Sequence, residues 1–88
     1  MDVSNRGIVE RIARVLAGQQ ISANAEGSEE SAARHVDAVW QEQLMNAVAV
    51  LRTMREPDKT MAAAGDPAVW ERMILAALDE ARTDRHVM

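Results

Sequence analysis

The sequence predicts an all-α protein: a small bundle of three main helices plus one short helix, with a long helix at its centre. Three observations predict it. Ala is the commonest residue and, with Leu, Met, Arg, Glu and Gln, it supplies strong helix formers along nearly the whole chain. Apolar residues recur at spacings of three and four rather than alternating, the period of a helix with one buried face. The breaks between these stripes carry Gly, Pro, Ser, Asn or Asp, residues that cap helices or turn the chain. At 88 residues the chain is expected to form a single domain, 1–88. A chain of that size buries only about 60% of the surface it exposes when unfolded.

The first helix is predicted over about residues 5–17, with Ser4 or Asn5 as its cap and Gly18 as its stop. Ile8, Val9, Ile12, Val15 and Leu16 form its apolar stripe, and Arg6, Glu10, Arg11 and Arg14 take the other side. Glu10 and Arg14 stand in the favoured i,i+4 order. Residues 18–28 have no period and read as an acidic loop.

Ser28 caps a second helix over about 29–55, with Glu29 and Glu30 in its first turn, where carboxylates suit the positive end of the dipole. Pro57 ends it. At ~1.5 Å per residue it would be about 40 Å long. Ala33, Val36, Trp40, Leu44, Ala47, Leu51 and Met54 fall on one stripe, widened by Val48 on one flank and by Val39 and Val50 on the other. An apolar arc that wide exceeds what one neighbouring helix covers, so this helix is expected at the centre.

Pro57 fits the first position of a short helix over about 58–64, closed by Gly65. Asp66-Pro67 restarts the chain as N-cap and first helical residue. The last helix, about 67–82, carries Trp70, Met73, Ile74, Ala77, Leu78 and Ala81 on one stripe, and 83–88 reads as a frayed tail. Trp40 and Trp70 are the bulkiest predicted core members, with Met54, Met61 and Met73 filling gaps around them. Val39-Trp40 and Val69-Trp70 head two segments that match at a constant offset, as two amphipathic helices with Trp near their starts would. Met45 and Leu75 occupy equivalent places off the core stripes. They are the candidate self-association residues of an expected homodimer.

Reactive chemistry is hard to assemble from these letters. There is no cysteine, which removes disulfides, thiolate metal sites and a thiol nucleophile. His35 and His86 are the two histidines, and neither stands at zinc-type spacing. Ser4, Ser22, Ser28 and Ser31 lie at caps or in the loop, where local backbone hydrogen bonding explains them. The glycines form no phosphate-binding loop. No enzyme, cofactor or metal is expected. No apolar run approaches a membrane span, and the opening residues do not form a signal peptide, so the cytoplasm is the expected location.

Charge is unevenly spread. The net charge is −4, and residues 17–44 hold Arg34 alone against Glu26, Glu29, Glu30, Asp37 and Glu42. Those five carboxylates are the candidate partner-binding surface, since a local negative field steers a basic partner. An acidic solubilising loop with helix-dipole complementarity accounts for the same residues without a partner. Arg52, Arg55 and Lys59 are the densest basic group, but Glu56 and Asp58 interrupt them. They read as a surface salt-bridge group, and direct nucleic-acid binding is not expected.

Ile8-Val9-Glu10-Arg11-Ile12-Ala13-Arg14, then Leu51-Arg52-Thr53-Met54-Arg55-Glu56-Pro57, then Met61 to Gly65, then Trp70-Glu71-Arg72-Met73-Ile74-Leu75-Ala76-Ala77-Leu78 follow one another in a distinctive order. The pattern resembles small helical proteins encoded in phages and prophages of alphaproteobacteria, a group without an assigned activity, so no functional residues carry over. The resemblance spans about Ile8 to Ala81, with Gln19 to Val36 unmatched. It implies a setting in which small acidic proteins act as inhibitors of host complexes, anti-CRISPR proteins among them. The implied partner is a host protein or ribonucleoprotein complex with a basic surface, met by the acidic segment. A dimeric assembly protein with apolar contacts is the alternative, and a small DNA-binding regulator a third.

Overall fold

The structure, a computed structural model, describes residues 3–24 and 29–86. It is all-α: five α-helices and one 3₁₀ turn, with no strand among the described residues. The order is α1 (Ile8–Asn24), α2 (Glu29–Val39), the 3₁₀ turn Trp40–Gln43, α3 (Leu44–Met54), α4 (Lys59–Ala64) and α5 (Pro67–His86). The chain divides into two compact units, Met1–Ala47 and Val48–Met88. The division falls inside α3.

In the first unit, α1 packs against α2 and the 3₁₀ turn. Ser4 does not cap α1. Its hydroxyl accepts from the Arg6 backbone N–H at 3.1 Å and donates to the Arg6 carbonyl, closing a local turn ahead of the helix. Gly18 does not stop the helix either, because α1 continues to Asn24 and takes in most of the expected loop. A mid-helix glycine costs roughly 1 kcal/mol relative to alanine. The packing does not require it, since a Cβ at Gly18 would lie 3.8 Å from Val36 Cγ2, in ordinary contact with α2.

The buried row of α1 is Val9, Ala13 and Ala17. Ile8, Ile12 and Leu16 are half-buried, and Val15 is 61% exposed. The buried face is thus turned by roughly 100°, one residue step at about 3.6 residues per turn, from the face expected around Ile12. Alanines let the neighbouring backbone approach closely, and the rotation brings Arg14 to the edge of the contact.

The expected 29–55 helix is interrupted. Val39 leaves the helical region at φ −126° and ψ 3°, and the following turn tightens to 3₁₀ before α3 resumes. The apolar stripe survives the interruption because Trp40 and Leu44 remain one turn apart. The predicted cap, Ser28, lies outside the described residues.

In the second unit, Asp58 is the N-cap of α4, its carboxylate accepting from the Met61 N–H at 2.9 Å. Pro57 therefore precedes the cap instead of opening the helix. Gly65 follows α4 as expected, but its extended backbone requires no glycine. Asp66 caps α5 by accepting from the Ala68 N–H at 2.9 Å, with Pro67 as first helical residue. α5 runs to His86, so most of the expected tail is helical. Among the described residues, Val48, Leu51, Ile74 and Ala81 are the buried ones of this unit. The expected methionine core is absent: Met54, Met61 and Met73 are all exposed, Met73 at 62%. Trp70 is half-buried, and its indole N–H donates to the Met54 carbonyl at 2.6 Å. That bond satisfies one of the carbonyls left open at the end of α3.

Candidate interaction surface

The five predicted carboxylates do not form one uniform surface. Glu26 lies outside the described residues, and Glu29 and Glu30 begin α2. Asp37, on α2, is committed to Arg14 of α1 through an ion pair of 2.6 Å. Glu42, in the 3₁₀ turn, is exposed and has no ion pair among the described residues.

Arg14 is the residue that sequence reasoning misplaced. It bonds Glu10 at 2.8 Å within its own helix, Asp37 across to α2, and its guanidinium lies 5.2 Å from the Trp40 ring centroid. The hydrogen bonds it donates to Asp37 and then to Glu10 raise its pKa above the ordinary arginine value. A raised folded-state pKa means the contribution is present below the unfolded value and lost only as pH climbs through the folded one. The cation therefore persists throughout the neutral and mildly alkaline range. Trp40, expected deep in a core, is half-buried beneath this cation instead. Its cation–π contact joins the first helix to the turn. Only the Glu10 spacing was readable, because Asp37 stands 23 positions from Arg14.

Gln43 of the 3₁₀ turn donates to Gln20 of α1 at 2.7 Å. Beside it, Ala17, Ile21, His35, Val39 and Glu42 line a hollow of about 330 Å³. His35 is exposed there, and no group of three or more metal-ligating side chains occurs among the described residues. No buried polar side chain lacks a hydrogen-bond partner among those residues.

The second unit presents two hollows. One, of about 420 Å³, is apolar and lined by Pro57, Met61, Val69, Trp70 and Met73. The other, of about 590 Å³, runs between α3 and α5. Val48, Leu75 and Leu78 lie in it, with Arg52, Arg55, Asp79 and Arg82 around them. Asp79 pairs with Arg82 at 3.1 Å. The expected salt-bridge group at Arg52, Arg55 and Lys59 does not form: none of the three has an ion pair among the described residues. Their nearest acids in sequence, Glu56 and Asp58, fall at the end of α3 and at the cap of α4, where Asp58 is used by the backbone.

Met45 and Leu75 are exposed as expected, at 69% and 43%, on α3 in the first unit and α5 in the second. No protein-family model, curated protein or solved structure matches the chain. Among the described residues, no helix is long and apolar enough to cross a membrane.

Proposed function

We propose that this chain acts by contact rather than catalysis, as a protein-binding protein that meets its partner through apolar side chains of the second unit. The observation that carries the reading is the placement of the large apolar residues in that unit. Val50, Met54, Met61, Val69, Met73 and Leu75 are exposed. Exposed apolar side chains gathered around one hollow mark an interaction surface more often than scattered single ones do. Met61, Val69 and Met73 line one hollow and Leu75 another, and methionines suit such a surface because they adapt to a partner's shape. Affinity capture from a cell lysate, paired with sedimentation of the purified chain, tests the proposal. The expected result is a complex lost on Met73→Asp or Leu75→Asp and unmoved by reversing Glu29, Glu30 and Glu42 to Lys. A self-complex with the same sensitivities would make the partner a second copy. Turnover of a small molecule, or indifference to both apolar substitutions, would overturn the reading.

The charge distribution favours a second reading, a phage-type inhibitor of the anti-CRISPR kind that blocks a basic nucleic-acid-binding complex. Its support is the acidic 17–44 segment, the exposed Glu42, which has no ion pair among the described residues, and the resemblance of the sequence to phage-encoded proteins. Asp37 counts against it, being neutralised by Arg14. The opposite mutational pattern would favour it: loss on the charge reversals, retention on Leu75→Asp.

A further inference from the structure

The groove between α3 and α5 combines an apolar floor with two arginines, Arg52 and Arg55, that have no ion pair among the described residues. Val48, Arg52 and Arg55 recur at i, i+4 and i+7, so they share one face at the end of α3. Leu75, Leu78 and Arg82 recur at i, i+3 and i+7 along one flank of α5. Three arginines against Asp79 leave the groove positive by two, in a chain whose net charge is −4. Asp79 is already bonded to Arg82.

We propose that this groove binds an acidic amphipathic helix of a partner protein. Apolar side chains of that helix would rest on Val48, Leu75 and Leu78, and its carboxylates would meet Arg52 and Arg55. This inference rests on the contact reading above and names the partner's chemistry on the Leu75 side. Charge complementarity selects the occupant. A guanidinium presents a planar fork that matches a carboxylate, and apolar surface between two such forks matches the stripe of an amphipathic helix. Phosphate would satisfy the arginines equally well, but a nucleic-acid backbone offers nothing to the exposed Leu75. The volume, about 590 Å³, accommodates several side chains.

The test is fluorescence anisotropy on the full chain with a labelled synthetic helix carrying Leu at i, i+3 and i+7 and Glu on both flanks. Companion probes are the same peptide with Lys for Glu, the same with Ser for Leu, and single-stranded and duplex oligonucleotides. The Glu/Leu peptide alone is expected to bind. Arg52→Glu combined with Arg55→Glu should weaken it at least about tenfold, as expected when charge-assisted hydrogen bonds are lost. The Lys pair at those positions should fall between the two, keeping the charge attraction and losing what the planar fork adds. Both arginines are exposed, so the helical circular dichroism should not change.

Equal binding of the Lys peptide, tighter binding of an oligonucleotide, or indifference to the arginine reversals would overturn the inference. So would a self-complex broken by those reversals, which would assign the groove to a second copy. Failure here with a Met73-sensitive complex still captured removes the acidic helix and leaves the contact reading. Loss of that complex, with the peptide titration intact, does the reverse.

Discussion

In the first unit, three of the four buried residues are alanines, and an arginine ties α1 to α2. In the second, three of the four described buried residues are larger, Val48, Leu51 and Ile74; among the described residues six further large apolar ones are exposed there, against Val3, Val15 and Met45 in the first. Local ion pairs occur in both units, Arg6–Glu10 and Arg14–Glu10 in the first and Asp79–Arg82 in the second, and Arg14 also links two helices through Asp37. An i,i+3 pair on an exposed helix face contributes only a few tenths of a kcal/mol. One unit is therefore held by small buried side chains and by polar links between elements, Arg14–Asp37 and Gln43–Gln20, and the other by a few larger buried side chains with more apolar surface exposed. Surplus apolar surface is a liability in a molecule that works alone and an asset in one that works by contact, and the second unit carries more of it.

The contrast predicts opposite sensitivities to side-chain volume. Leu51 is the largest fully buried side chain, so Leu51→Ala should cost about 2–5 kcal/mol in chemical denaturation. A loss below about 1 kcal/mol would mean that apolar burial does not hold this part of the chain. In the first unit enlargement is the damaging change. Ala13 is fully buried, and Ala13→Leu should cost ~1–3 kcal/mol through overpacking. Native-state hydrogen exchange would show whether protection falls first in α1 and α2. Tolerance of the leucine would show that those helices have room and that alanine there reflects composition alone.

These sites also show what the sequence made legible. The Asp66-Pro67 start of α5 was readable because an N-cap is local: the carboxylate reaches N–H groups two and three residues on, whatever the rest of the chain does. Helix content was readable for the same reason, residue by residue. Which face of a helix is buried was not. Hydropathy pointed to Ile12 on α1, but close approach selected Ala13, because packing rewards fit as well as apolar area. The methionines were misread likewise: Met73 shares an arc with Trp70 and Ile74, yet it lies at the edge of that arc and stays outside. The 3₁₀ turn was hidden because its residues keep the helical stripe. Of the candidate site, exposure of Met45 and Leu75 followed from their off-stripe positions, whereas the capture of Asp37 by Arg14 depends on which helices become neighbours.

Cap removal sharpens the comparison on a smaller scale. Asp66→Ala should cost about 1 kcal/mol by leaving the first N–H groups of α5 without their acceptor. Asp58→Ala acts on α4, a helix of six residues with no buried member. It should therefore loosen α4 while leaving global stability nearly unchanged. Exchange rates of the Met61 amide against those of α5 would separate the two. If the two caps prove equal in global denaturation, α4 contributes to the cooperative fold more than its exposure implies.

The smallest effect is a gain. Gly18 has an ordinary helical backbone, with no positive φ, and a Cβ there would meet only Val36 Cγ2 at 3.8 Å within the contact range. Gly18→Ala should stabilise the chain by about 0.5–1 kcal/mol, by reducing the freedom of the unfolded state and improving helix propensity. The methyl group would rest on Val36 without displacing it. Thermal denaturation of the single variant and of Gly18→Ala with Val36→Ala measures that contact separately, since only the contact part should disappear in the pair. A destabilising Gly18→Ala would mean that α1 and α2 lie closer than 3.8 Å allows, and that the glycine is required by their packing just as Ala13 and Ala17 are.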